Sequence, residues 1–223
     1  MHISLPGTHQ HIFAPFGPCG RLTVTTILAC LCLAACGAQP TPGNVTPLSL
    51  PPASQPIPVT GSGSACASPA SATVAETEGP YFKAGSPERT SLLETGLAGT
   101  KLVLSGSVLT TDCKPVAGAL LDFWQANAAG QYDNSGYTLR GHQFTDASGH
   151  YQLTTIVPGL YPGRTEHIHV KVQAPGGPVL TTQLFFPGVA QNQSDGIFDA
   201  SLVMKVQSAP DGETAVFDFV IQP

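Results

Sequence analysis

The clearest pattern in the chain is a two-residue alternation in Arg164-Thr165-Glu166-His167-Ile168-His169-Val170-Lys171-Val172. Side chains of a β-strand point alternately to opposite faces, so Ile168, Val170 and Val172 share one face and His167, His169 and Lys171 the other. Similar short runs, each bounded by Gly, Pro, Asn, Asp or Ser, predict strands over Leu102–Leu109, Ala119–Gln125, Tyr151–Thr155, Glu166–Gln173, Val179–Phe186, Leu202–Gln207 and Thr214–Ile221. The turn signal Ala174-Pro175-Gly176-Gly177-Pro178 makes the histidine strand and the next an antiparallel hairpin. No internal repeat and no long amphipathic helix breaks the spacing, and the expected fold is an all-β antiparallel sandwich.

Upstream of these strands the pattern changes twice. After Arg21, the apolar run Leu22 to Ala35 is short for a membrane span and ends in Leu33-Ala34-Ala35-Cys36-Gly37. This resembles a bacterial lipobox, in which the cysteine is acylated and becomes the mature N-terminus. Residues 1–35 are therefore expected to be a lipoprotein-type signal peptide and Cys36 the lipidation site that anchors the protein to a membrane outside the cytoplasm. An ordinary signal peptide or an N-terminal anchor is the alternative. Met1 to Gly20 is long for a leader, which leaves the translation start open. Residues 36–71 read as a flexible tether, because a stretch of Pro, Ser, Thr, Gly and Ala buries too little surface to offset its ordering entropy. The folded domain is expected over residues 72–223.

Composition narrows the classes of function. Only 10% of residues are charged, the net charge is -5 and there is no basic cluster, which excludes a nucleic-acid partner held through its phosphates. With 24 glycines and 21 prolines, a loop-rich β protein is favoured over a helical bundle. Of the cysteines, Cys19, Cys30 and Cys32 would leave with the signal and Cys36 would carry lipid. That leaves Cys66 and Cys113, most simply a disulfide outside the cytoplasm, with two unpaired thiols as the alternative.

Histidines two apart on a strand lie about 6.6 Å apart at Cα, close enough for both rings to reach one metal ion. Two solvated histidines on a wet face would show the same pattern. No His-Glu-x-x-His or Cys-x-x-Cys is present to recruit zinc in its usual ways. Tyr161, in the turn that feeds the histidine strand, and Tyr132, after the strand carrying Trp124, are unusual further candidates. A phenolate persists at neutral pH only beside a strong positive charge such as ferric iron; otherwise each is an ordinary amphipathic loop residue.

A set of motifs in fixed order says more than any one of them. Thr77-Glu78-Gly79-Pro80-Tyr81 is followed by Gly118-Ala119, Asp122-Phe123-Trp124-Gln125-Ala126-Asn127, Gly130-x-Tyr132, Arg140-Gly141 and Thr145-Asp146. Then come Thr155-Ile156-Val157-Pro158-Gly159-x-Tyr161, Arg164-x-x-His167-Ile168-His169 and Leu180-Thr181-Thr182-Gln183. This series resembles the intradiol ring-cleavage dioxygenases, which include catechol and protocatechuate dioxygenases. The resemblance implies a prealbumin-like β-sandwich with long active-site loops, holding one non-haem Fe(III) through Tyr132, Tyr161, His167 and His169. It further implies that a catechol-type substrate and O2 react to give a muconate-type diacid, cut between the two hydroxylated carbons. By the same resemblance Tyr161 leaves the metal and helps take a proton, and Arg164 stabilises the carbanion-like substrate, its structural alternative being a salt bridge with Glu166 or an aspartate. Gln183 lies near metal and substrate, and Gly79, Pro80 and Tyr81 line the pocket. Trp124 reads as core.

Some positions depart from the family. Thr165 stands where proline is common, and Glu166 places an extra carboxylate next to the expected ligands. No counterpart of the helical dimerisation domain of catechol dioxygenases precedes Glu76, so the chain is expected to be of the single-sandwich, secreted type, with self-association left open. Two other readings compete: a sandwich that has lost its iron and serves as a surface binding module, and a histidine-based zinc or copper enzyme. The second leaves Tyr132 and Tyr161 without a role.

Overall fold

A computed structural model describes residues 66–68 and 70–222, and within them nine strands form two sheets. One sheet contains β1 (Lys101–Thr110), β4 (His150–Ile156), β7 (Lys205–Ala209), β8 (Gly212–Val216) and β9 (Phe219–Ile221), in the order β4-β1-β8-β7 with β9 also on β1. The other contains β2 (Leu120–Gln125), β3 (Arg140–Phe144), β5 (His167–Gln173) and β6 (Val179–Phe185), in the order β3-β2-β5-β6. The all-β sandwich is as expected, and pairing is antiparallel except where β1 meets β8 and β9.

Alternation builds the core. Leu121 and Phe123 of β2, Ile168, Val170 and Val172 of β5 and Leu184 of β6 share a face. They form one buried cluster with Leu102, Leu104, Leu153 and Ala215 of the other sheet. Each large side chain so buried contributes about 1.5–3 kcal/mol of hydrophobic stabilisation before ordering entropy is counted. The hairpin turn closes with the Gly177 N–H donating to the Ala174 carbonyl at 2.9 Å, which sets the register His169 opposite Gln183.

Three strand expectations need correction. β3 has no counterpart among them, because Arg140-Gly141-His142-Gln143-Phe144 shows no run of apolar residues; it forms through pairing with β2. The region expected to be strand from Leu202 begins with a 3₁₀ turn, Ala200–Leu202, so β7 starts only at Lys205. The last expected strand breaks at Phe217 and Asp218 into β8 and β9. There the Asp218 carboxylate accepts from the Ser107 N–H at 2.8 Å.

The N-terminal side contributes to the same sheets. Residues 1–35, Cys36 and most of the tether lie outside the described residues, but the stretch just before residue 72 is docked rather than free. Cys66 and Cys113 form a disulfide, and the Ala70 N–H donates to Thr111 at 2.8 Å. The chain then crosses to the second sheet, with Thr182 Oγ1 donating to the Val74 carbonyl at 2.7 Å and the Glu76 N–H to Thr181 at 2.9 Å. Glu78 pairs with Lys171, and Phe82 packs against Trp124 at 4.9 Å. This strap covers part of the outer face of the sheet, with Gly79 over His169.

Candidate active site

The register aligns Arg140, Trp124, His169 and Gln183 in one row across β3, β2, β5 and β6. All four are buried. The Trp124 indole stacks on the His169 imidazole, with centroids 4.8 Å apart and planes 7° from parallel. Trp124 is thus buried as expected, but on the histidine face rather than in the core between the sheets. His167, one step along β5, is also buried, and its Nδ1 lies 2.6 Å from the Thr165 carbonyl. That contact requires an N–H at Nδ1, leaving the His167 Nε2 lone pair free.

Two loops bring the tyrosines to this row, and two glycines let them interlock. A Cβ on Gly130 would sit 2.0 Å from the Leu160 carbonyl oxygen, and one on Gly159 would sit 2.3 Å from that of Ala128. The N–H groups of both glycines donate to the Asn127 carbonyl at 2.9 Å. Tyr132 and Tyr161, each two residues beyond its glycine, pack edge to face at 5.9 Å. Tyr132 Oη lies 3.3 Å from His167 Nε2, which lies 3.1 Å from His169 Nε2. Tyr161 packs 5.8 Å from the His167 ring. Tyr81 stacks on Tyr132 at 4.4 Å and meets Tyr161 edge-on at 6.0 Å, while Gly79 lies over His169 and Pro80 is exposed. The sequence-picked tyrosines and histidines therefore converge, with Tyr81 as a wall.

Arg164 enters from the other side. Its Nε donates to Asp195 Oδ2 at 2.9 Å, one terminal nitrogen to Gln183 Oε1 at 2.6 Å, and the other reaches Tyr161 Oη at 3.4 Å. Gln183 is fully buried behind Arg164, its Nε2 donating to the Thr77 carbonyl at 2.9 Å, so it supports Arg164 and the strap rather than forming an open wall. Glu166 does not join the site: it lies before the start of β5, and burial and then the charge of Glu213, on the opposite sheet, raise its carboxyl above the usual range.

Sequence reasoning missed two anchors. Asp195, in the loop after β6, takes the Thr165 N–H at 2.9 Å as well as Arg164. Burial works to raise its carboxyl, but hydrogen bonds from the Thr165 and Ile197 N–H groups and from Arg164 outweigh it and hold the pKa below the ordinary value. Arg140 clamps two loops, donating to the Tyr81 carbonyl at 2.7 Å and twice to the Asp133 carbonyl at 3.1 and 2.9 Å. The Arg140-Gly141 pair was visible as a motif, but no local signal assigns it these partners.

The donor set fits one metal ion. Burial lowers His167 to about 4 and also holds His169 well below the ordinary imidazole value, so both imidazoles are neutral at physiological pH. With His167 Nε2 bare, His169 either donates to it or presents a second lone pair at 3.1 Å, and in both cases a buried polar atom lacks a complement; His169 Nδ1 has no hydrogen-bond partner. A cation between the two Nε2 atoms removes that conflict. Burial and then the neighbouring Tyr161 push the Tyr132 phenol well above its usual pKa, so a phenolate there also needs a cation. Among the described residues no group of three or more His, Cys, Asp or Glu could hold a metal, which leaves the tyrosines as the further donors.

Comparison with known proteins bears on the family. The family model described as Dioxygenase matches residues 77–223. The chain is 36% identical over 121 residues to the protocatechuate 3,4-dioxygenase beta chain of Burkholderia cepacia, covering 46% of this chain and 52% of that one. It is 30% identical over 172 residues to chlorocatechol 1,2-dioxygenase of Pseudomonas sp. (strain P51), covering 65% and 68%. The chain thus spans about half of the first relative and two thirds of the second. Among solved structures, it is similar to the dioxygenase domain of a dioxygenase carbohydrate-binding protein fusion from the cellulolytic bacterium Streptomyces sp. SirexAA-E. The TM-score is 0.67 at 56% identity, covering 68% of this chain and 99% of that one.

Proposed function

Because the chain belongs to the intradiol ring-cleavage dioxygenase family, we propose that it opens a catechol-type ring with O2 between the two hydroxylated carbons, giving a muconate-type diacid that keeps both oxygen atoms. Tyr132, Tyr161, His167 and His169 would hold a non-haem ferric ion. The observation that carries this reading is the convergence of His167 Nε2, His169 Nε2 and Tyr132 Oη within 3.3 Å steps, beside Tyr161 and Arg164. When bound, Fe(III) supplies the Lewis acidity that ionises a catechol and the electronic access to O2.

The chain's own groups do the rest. Tyr161, with its Oη within reach of Arg164, would serve as the base that accepts a catechol proton. The Arg164 guanidinium, fixed beside it, stabilises negative charge developing on the ring. Tyr81, stacked on Tyr132, borders the substrate's space, and the Trp124 indole holds the His169 ring in one orientation. An iron-free binding module is not favoured, since it would leave the two converging Nε2 atoms without a role.

We also propose that Cys36 carries lipid and that the domain works outside the cytoplasm on a tether; the lipobox-like Leu33–Gly37 sequence and the Cys66–Cys113 disulfide support this. Protein expressed from Cys66 onward with iron should be reddish, from tyrosinate-to-iron charge transfer, and Tyr132→Phe should shift that band. Oxygen uptake should occur with at least one of catechol, protocatechuate, hydroxyquinol and chlorocatechol, with ring-opened diacids as products. A colourless, iron-free preparation, or extradiol products alone, would sink the reading.

A further inference from the structure

We propose that Asp195 is a positioning residue that holds the Arg164 guanidinium against the Tyr161 hydroxyl and Gln183. The proposal rests on the active-site reading above and adds a group 31 residues beyond Arg164.

Arg164 has three side-chain partners among the described residues, and only Asp195 is charged. Gln183 Oε1 is a neutral acceptor and Tyr161 Oη a distant one at 3.4 Å. Neither alone stops the guanidinium from turning about its last bonds. The Asp195 side chain is 2% exposed and that of Arg164 13%, so water screens the pair little. The carboxylate is itself fixed: Oδ2 accepts the Thr165 N–H at 2.9 Å and Oδ1 the Ile197 N–H at 3.1 Å. A proline at position 165 could not supply the first of these donors. Thr165 also donates its hydroxyl to Asn192 Oδ1, and Asn192 Nδ2 donates to the Phe186 carbonyl at 2.8 Å, which ties this loop to the end of β6. The Thr165 carbonyl meanwhile receives His167 Nδ1. One short segment thus orients a metal-facing imidazole and, through Asp195, the arginine.

With Nε committed to Asp195 and one terminal nitrogen to Gln183, the remaining nitrogen faces Tyr161, beside the space in which negative charge develops on the substrate ring. Such fixed orientation acts mainly in the transition state, so its loss lowers kcat more than it raises KM.

The test is a double-mutant cycle on iron-loaded protein: wild type, Asp195→Asn, Arg164→Gln and the pair. Each is measured for kcat and KM with whichever of catechol, protocatechuate, hydroxyquinol and chlorocatechol the wild type turns over fastest, and for iron content, the tyrosinate band and melting temperature. Asp195→Asn is expected to keep its iron and band, to lose about 10- to 100-fold in kcat, and to change KM less than about threefold. In the Arg164→Gln background the same change should cost no more than about twofold, because Asp195 acts through the arginine. Equal losses in both backgrounds, or wild-type kcat in Asp195→Asn, overturn the proposal. Should Asp195→Asn fail to fold, the cycle is run with Asp195→Ser, which also removes the charge, and the same criterion decides. Active wild type with an additive cycle defeats this inference alone; wild type without iron or turnover defeats the active-site reading and this inference together.

Discussion

Replacing Gly130 with alanine should force apart the loops that carry Tyr132 and Tyr161. Gly130 has φ +74°, and a Cβ there would lie 2.0 Å from the Leu160 carbonyl oxygen and 2.8 Å from its carbon. Normal contact needs about 3.5 Å, so one backbone must retreat by more than about 1 Å. The left-handed conformation costs alanine about 1–2 kcal/mol and overpacking about 1–3 kcal/mol more. Alanine also stiffens the unfolded chain, offsetting about 0.4–1 kcal/mol, and the net loss is about 2–4 kcal/mol. Gly163 is a built-in control: its φ is +81° but nothing lies within 4 Å of its absent Cβ, so Gly163→Ala carries only the conformational part, about 1 kcal/mol. Urea unfolding of the two variants isolates the clash. Since a misplacement of about 1 Å in an active site can cost about 100-fold in rate, Gly130→Ala should also lose turnover and its tyrosinate band while Gly163→Ala keeps both. If the two variants unfold within about 0.5 kcal/mol of each other, the interlock is not what holds the tyrosines together.

Other predictions follow from the same contacts. Arg140→Met leaves the Tyr81 and Asp133 carbonyls without their donor and should cost about 2–5 kcal/mol in chemical unfolding; a loss below about 1 kcal/mol would show that water replaces the guanidinium. In metal-free protein, burial lowers His167 from 6.5 to about 4, so between these values the unfolded chain binds more protons and stability rises with pH. Acidifying the apo protein from pH 6.5 to 4 should therefore cost on the order of 3 kcal/mol from this group, with His169 adding in the same direction, and His167→Gln should flatten the profile. Cys36→Ser should abolish incorporation of labelled fatty acid in the full-length chain, and undiminished labelling would remove the lipid anchor.

What could be read from the chain depended on whether the signal was local. The β5 alternation placed His167 and His169 on one face and the valines in the core, because strand geometry is a property of adjacent residues. That both histidines are dry was not legible: the cover comes from the strap over His169 and from Tyr132 and Tyr161, brought in by other loops. β3 was missed because its residues pair through backbone and through Arg140, whose three bonds reach other loops. Glu166 looked like a neighbour of the ligands in sequence, yet it lies near Glu213 of the opposite sheet. Asp195 sits in a loop with no periodicity, and only the fold brings it to Arg164. Tyr132 and Tyr161 were singled out as loop phenols, but the reason they meet is the absence of two side chains, at Gly130 and Gly159.

The row Arg140, Trp124, His169 and Gln183 also bears on how the protein matures. Those residues come from four strands, and a slip of one residue in any pairing would turn that strand's member of the row towards the core. A chain paired out of register would carry the same atoms but no converging donors. Uptake of the metal would then act as a proofreading step, retaining colour only in molecules whose sheet had zipped correctly, and the red band of a preparation would count correctly paired chains rather than total protein.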